Sequence, residues 1–275
     1  MKTSPIGIFD SGIGGLTVAK EIIKVLPHES IIYLGDTARV PYGTRDKKTI
    51  TRFSLELTRF LLKQRVKALV VACNTISATC LPEIQKVSPV PVIGVINATI
   101  QEALKASGNQ SIGIIGTRAT INSKAYEKSI KKSNAGVKIV SQPCPLFVPL
   151  AEEGFISHKA SGIIADEYLG IFKNSKIDTL ILGCTHYPIL AKLIQKSVGK
   201  KIRLVDSALP TAKALKALLQ EKNLLNNSSK KPKLKFYVTD APERVYKIAN
   251  LFFDNKFPGK LEKTDLFTDR GGLKN

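Results

Sequence analysis

Thr179-Leu180-Ile181-Leu182-Gly183-Cys184-Thr185-His186-Tyr187-Pro188 is the stretch from which the rest of the chain can be read. Its first half is a short apolar run, the pattern of a strand buried on both faces of a sheet. The run stops at Gly183, and a cysteine, a threonine and a histidine follow. Pro188 and the apolar positions Ile189, Leu190, Leu193 and Ile194 predict a helix just beyond, with proline in its first turn. Cys184 is thus expected at the carboxyl end of a strand, facing the positive end of a helix. Open α/β sheets place their ligands there, and a thiol gives up its proton most readily there. Ala68-Leu69-Val70-Val71-Ala72-Cys73-Asn74-Thr75 repeats the construction. Cys73 and Cys184 are far apart in the chain, and are expected to sit on different structural units and face each other across a cleft.

With 275 residues the chain can form one large or two small α/β domains. No segment approaches the ~18 consecutive apolar residues of a membrane helix. The amino terminus passes directly into Ile6-Gly7-Ile8-Phe9 without a signal-peptide pattern, so a cytoplasmic location is expected. Four cysteines, Cys73, Cys80, Cys144 and Cys184, do not make a disulfide framework, and no C-x-x-C pair points to zinc or redox chemistry. Three scattered histidines do not make a metal centre either. Cys80 and Cys144 are assigned structural roles. The net charge of +20, from 42 Lys and Arg against 22 Asp and Glu, raises nucleic-acid binding as a function. The basic residues are spread along the chain, however, and Lys124, Lys128, Lys131 and Lys132 fall on the polar face of a predicted helix. A solvated basic surface that steers an anionic metabolite is the preferred reading, with nucleic-acid contact at most non-specific.

In chain order, strand Ile6 to Phe9 runs into Asp10-Ser11-Gly12-Ile13-Gly14-Gly15. The spacing G-x-G-G, with the acid ahead of the glycines, departs from a dinucleotide loop and fits a site for a carboxylate or small polar group. Ile31 to Gly35 is a strand leading into Asp36-Thr37-Ala38-Arg39-Val40-Pro41-Tyr42-Gly43, whose backbone N–H groups at Tyr42 and Gly43 are placed to bind an anion. A helix over about 47–64 precedes the Cys73 strand, and Val92 to Ile96 is read as a strand closing the first half. Ile112 to Gly116, Val137 to Val140, the Cys184 strand and Leu204-Val205-Asp206-Ser207 continue the plan. Pro143-Cys144-Pro145-Leu146-Phe147-Val148-Pro149 is irregular, and a long helix spans about 159–172. Asn226 to Pro232 is an exposed loop, Lys235 to Thr239 a last strand, and a final helix lies near 243–253. Alternating strands and helices imply an α/β protein of two similar domains with mainly parallel sheets and the active site in the cleft between them. The domains are expected at 1–97 plus 208–275 and at 98–207.

Two thiols on opposite faces of one carbon can invert a stereocentre without a cofactor. One sulfur removes a proton while the other donates to the opposite face. The substrate proton must then lie next to a carboxylate, and fixed donors must meet the developing charge. Asn74, Thr75, Thr185, Ser11 and Thr117 supply short polar groups at the right loop ends. Asp10 and His186 can orient a base or bind an ammonium group on their respective sides. Any one Ser or Thr alone is equally well explained as a helix cap or turn residue.

At these motifs the chain resembles the glutamate racemase family of the aspartate/glutamate racemase superfamily. The resemblance runs from about residue 5 to about residue 253. It is carried by Asp10 to Gly15, Gly35 to Gly43, Ala72 to Thr75, Gly183 to Pro188, and Pro145 to Leu150 with Glu152-Glu153-Gly154. It implies cofactor-independent interconversion of L- and D-glutamate, supplying D-glutamate for peptidoglycan, and a homodimer. It implies Cys73 as the base for the D-isomer and Cys184 as the base for the L-isomer, with Asp10 and His186 as their helpers and Glu152 assisting near His186. Ser11, Tyr42, Gly43, Asn74, Thr75, Thr117, Thr185 and His186 resemble the substrate-contacting positions. Aspartate is the alternative substrate within the superfamily, and the Tyr42-Gly43 loop favours glutamate.

The chain departs from the family at Asn97-Ala98, where Glu-Pro is common and a hinge is affected, and at Arg118. The residues beyond about 257 match no family pattern. The absence of a longer amino-terminal extension makes activation by a peptidoglycan precursor unexpected.

Overall fold

The computed structural model describes residues 2–266. Among these, ten strands form two sheets. In chain order they are β1 (Ile6–Asp10), β2 (Ile31–Gly35), β3 (Ala68–Val71), β4 (Val92–Gly94), β5 (Ser111–Gly116), β6 (Lys138–Pro143), β7 (Thr179–Gly183), β8 (Arg203–Val205), β9 (Leu234–Val238) and β10 (Leu261–Lys263). The first sheet has the order β10-β9-β2-β1-β3-β4 and the second β6-β5-β7-β8. Every pairing is parallel. The central strands β1, β3, β5 and β7 are buried along their whole length, which is why their sequences are continuous apolar runs rather than alternating ones.

Both sheets reverse their strand order beside a central strand. In the first sheet the neighbours of β1 are β2 and β3, and in the second the neighbours of β5 are β6 and β7. Such a reversal leaves a crevice at the carboxyl ends, because the flanking helices cross to opposite faces. Ser11 and Cys73 follow β1 and β3, and Thr117 and Cys184 follow β5 and β7. The residues that read as functional in the sequence therefore leave the two sheets at their switch points.

The lobes share a core. Helices Leu16–Val25, Val95–Ala106 and Ala208–Glu221 bury Leu16, Ile22, Ile100, Ala212 and Leu215 in one cluster with Ile8 and Val70 of the first sheet and Ile112 and Ile181 of the second. After the second sheet the chain returns to the first, where β9 pairs with β2. No helix of the described residues is long and apolar enough to cross a membrane.

Four local expectations are corrected. Val95 and Ile96 open a helix instead of extending β4, which pairs with β3 only through Val92, Ile93 and Gly94. The β-branched run looks like a strand, but Val95, Ile96, Thr99, Ile100 and Ala103 are buried at helical spacing, and that burial decides the matter. The proline-rich segment is not irregular throughout, since Phe147–Glu152 is a short helix. The strand read at Lys235 to Thr239 is β9, which ends at Val238, and it is not the last, since β10 follows as a short exposed edge strand with little apolar signal. Beyond Cys184 the chain first makes a 3-10 turn at Tyr187–Leu190, and the α-helix begins only at Ala191. The part of the carboxyl-terminal tail beyond 266 lies outside the described residues.

Candidate active site

The carboxyl ends of the two sheets meet at a cavity of about 20 Å³. Ser11, Tyr42, Gly43, Cys73, Asn74 and Thr75 line it from the first sheet's side, and Thr117, Cys184, Thr185 and His186 from the second's. A larger cavity of about 530 Å³ lies elsewhere, beside Lys20, Asp206 and Phe252, and none of the predicted site residues borders it. The volume between the cysteines is about that of one water molecule.

The lobes touch through glycines. A Cβ on Gly14 would lie 2.4 Å from Oγ1 of Thr185 and 2.5 Å from Nδ1 of His186. A Cβ on Gly43 would lie 2.6 Å from Cβ of Thr117. Hydroxyls complete the contact, with Oγ1 of Thr75 at 2.8 Å from that of Thr117 and 3.2 Å from that of Thr120. Tyr126 donates its hydroxyl to Oδ1 of Asn74 at 2.6 Å, and Nδ2 of Asn74 donates to Ser207 at 3.4 Å.

Cys73 is the N-cap residue of helix Asn74–Thr79, and its sulfur lies 3.3 Å from Oγ of Ser11. On the other side, Sγ of Cys184 lies 3.9 Å from Nδ1 of His186, and Nε2 of His186 donates to Oε1 of Glu152 at 3.0 Å. Sulfur, imidazole and carboxylate form a line along which a proton can move. Asp10 and Glu152, both expected in the site, do not border the cavity. Asp10 is fully buried behind it, its Oδ2 accepting the N–H of Gly12 at 3.1 Å, and Glu152 reaches the site through His186. Among the described residues no three His, Cys, Asp or Glu side chains come together as metal ligands.

The Asp/Glu/Hydantoin racemase family matches residues 14–215 of this chain. The glutamate racemase of Geobacter metallireducens is 46% identical over 256 residues, covering 93% of this chain and 95% of its own. The chain belongs to the glutamate racemase family. It is thereby an amino-acid racemase, an isomerase. Solved structures of the family agree in fold. Glutamate racemase from Francisella tularensis, in complex with D-glutamate, superposes with a TM-score of 0.90 at 42% identity over 97% of this chain and 99% of that one. Glutamate racemase from Bacillus anthracis does so with a TM-score of 0.92 at 39% identity, again over 97% and 99%.

Electrostatics in this racemase site differ from the expectation of an easily ionised thiol at a helix end. Burial pushes the Cys73 thiol well up from its ordinary range, and the nearby Asp10 charge adds to this. Ser11 and the helix N–H of Ile76 pull the other way and do not compensate. Burial also raises Asp10, opposed by the positive His186 and the N–H groups of Gly15 and Gly12. Burial alone would lower His186, but its bonds to Cys184 and Glu152 outweigh this and push it up to about 10. At neutral pH the ring is therefore a buried imidazolium, and Cys73 is a protonated thiol.

Sequence reasoning missed Tyr126, Ser207 and Thr120, which hold Asn74 and Thr75 from the other side. Ser207 had a usable signal, its place just past a predicted strand end. Tyr126 lies inside a helical pattern where a core role is the simpler reading, Thr120 ends the short stretch after the strand at Ile112 to Gly116, and only the fold brings them to the site.

Proposed function

We propose that this racemase interconverts L- and D-glutamate by cofactor-independent, two-base proton transfer at the α-carbon, with Cys73 and Cys184 as the bases, supplying D-glutamate for peptidoglycan. The observation that carries the reading is that both cysteines border one cavity from the switch points of separate sheets. With L-glutamate bound, Sγ of Cys184 takes the α-proton as the Cα–H bond breaks, and the electron pair delocalises into the α-carboxylate. The thiol of Cys73 then delivers its proton to the opposite face, giving D-glutamate and leaving Cys73 as the thiolate. The reverse reaction runs the same steps with the sulfurs exchanged. His186, backed by Glu152, exchanges protons with Cys184, and Asp10 serves the Cys73 side. Ser11, Tyr42, Gly43, Asn74, Thr75, Thr117 and Thr185 supply the donors that hold the carboxylates and stabilise the developing charge.

The reading includes a homodimer acting in the cytoplasm, and a division of the chain into 1–97 with 208–275 and 98–207. That division cuts helix Val95–Ala106 in its first turn, where Asn97-Ala98 replaces the family's usual Glu-Pro. Purified protein given L-glutamate alone should lose optical activity by circular dichroism until the racemate is reached. Cys73→Ala and Cys184→Ala should each slow this by at least about 10²–10⁴-fold. Full activity in either variant, or turnover of aspartate alone, refutes the assignment.

A further inference from the structure

Behind the cavity wall formed by Tyr42 and Gly43 lies a polar network centred on Asp36. Tyr42 is 1% exposed, and its hydroxyl donates to Oδ2 of Asp36. Asp36 is fully buried just past β2. Its Oδ2 also accepts Nε of Arg39 at 2.6 Å, and its Oδ1 accepts the hydroxyl of Thr239, just past β9, at 2.9 Å. Arg39 bonds Glu56 of helix Lys47–Lys63 and lies 4.0 Å over the Phe53 ring, which meets the Tyr42 ring at 5.5 Å. Three segments thus converge on one phenol.

Packing does not demand this chemistry, since a phenylalanine would fill the same space. Burying a carboxylate is costly unless several donors meet it, and here an arginine, a threonine and the phenol do. The Tyr42 hydroxyl is held protonated by burial and by the Asp36 charge, so it is a fixed donor. What the bond fixes is the turn Tyr42–Thr44, whose first two residues border the cavity.

We propose that Asp36 is a positioning residue: its carboxylate, clamped by Arg39 and Thr239, anchors Tyr42 so that the Tyr42-Gly43 turn meets a substrate carboxylate as a rigid, preformed edge. This rests on the proposed glutamate activity. Preorganised donors gain their advantage by not having to reorganise on binding, so loosening the turn should weaken binding more than it slows proton transfer.

The test is Tyr42→Phe and Asp36→Asn in the full chain. Each should raise KM for both L- and D-glutamate by about tenfold, with kcat within about threefold of wild type. The pH limbs of kcat should stay in place. The double variant should be no worse than the poorer single one, because both lose the same bond. Without substrate, amide exchange over 42–44 should speed up by at least about tenfold, a readout independent of what the protein turns over. Faster exchange in a protein whose wild type leaves glutamate untouched would uphold the anchoring and remove the substrate reading. Tyr42→Phe with wild-type KM and wild-type exchange overturns the proposal. So does a loss confined to kcat with a displaced pH limb, which would place the phenol in proton transfer itself. Should Asp36→Asn fail to fold, Tyr42→Phe decides alone.

Discussion

Held between Sγ of Cys184 and the carboxylate of Glu152, His186 keeps its proton to about pH 10 although it is 3% exposed. An unfolded histidine loses that proton near 6.5. A group whose pKa rises on folding stabilises the native state fully below its unfolded pKa, and the contribution fades as pH climbs to the folded one. The stability gap between wild type and His186→Asn, read from denaturant midpoints, should therefore be widest near pH 6 and narrow steadily towards about pH 10. A gap that is constant or widens with pH would show that the ring is not held charged. At this scale the sequence was informative about identity and weak about environment. Cys73 was legible as a strand-end thiol, yet its helix-capping position promised easy ionisation, and burial beside Asp10 reverses that. Net burial is a property of the closed cavity, and no local pattern contains it.

At the level of elements, the loop after β1 and the loop after β7 are complementary surfaces. Gly14 leaves no space between them, since an added Cβ would come within 2.5 Å of both Oγ1 of Thr185 and Nδ1 of His186. Gly14→Ala should hold the lobes apart and displace the His186 ring, at a stability cost of about 1–3 kcal/mol. Because a shift of about 1 Å at a reacting centre can cost about 10²-fold, kcat/KM should fall by that order in both directions. Wild-type turnover in this variant would mean that the two loops need not meet for catalysis. The strands carrying these loops were legible because central parallel strands are buried on both faces and so are uniformly apolar. The same rule misled at Val95 and Ile96, where a β-branched pair belongs to a helix packed between the sheets. Likewise β10 (Leu261–Lys263) was invisible, since an exposed edge strand of three residues leaves no periodic trace.

For the whole molecule, the organising fact is that two sheets of the same parallel design present their switch points to one another. The alternation of strands and helices announced the sheets, and the repeated strand-cysteine plan announced their symmetry. The shared core between the lobes was not announced, because a helix that faces two sheets reads as an ordinary buried helix. The excess positive charge remains outside this design; Lys124, Lys128, Lys131 and Lys132 are all exposed, as a solvated surface requires. One thermodynamic limit applies to every variant above. L- and D-glutamate are equally stable, so kcat/KM must stay equal in the two directions at every pH, and only kcat and KM separately can diverge. Opposed sulfurs, each carrying at most one proton, make a sharper demand on the label in the product. Run in D2O and sampled at the earliest times, L-glutamate should yield D-glutamate with one deuterium at the α-carbon while the recovered L-glutamate stays unlabelled. Recovered L-glutamate that gains deuterium as fast as D-glutamate forms would mean that a single base serves both faces, and the two-cysteine mechanism would fall.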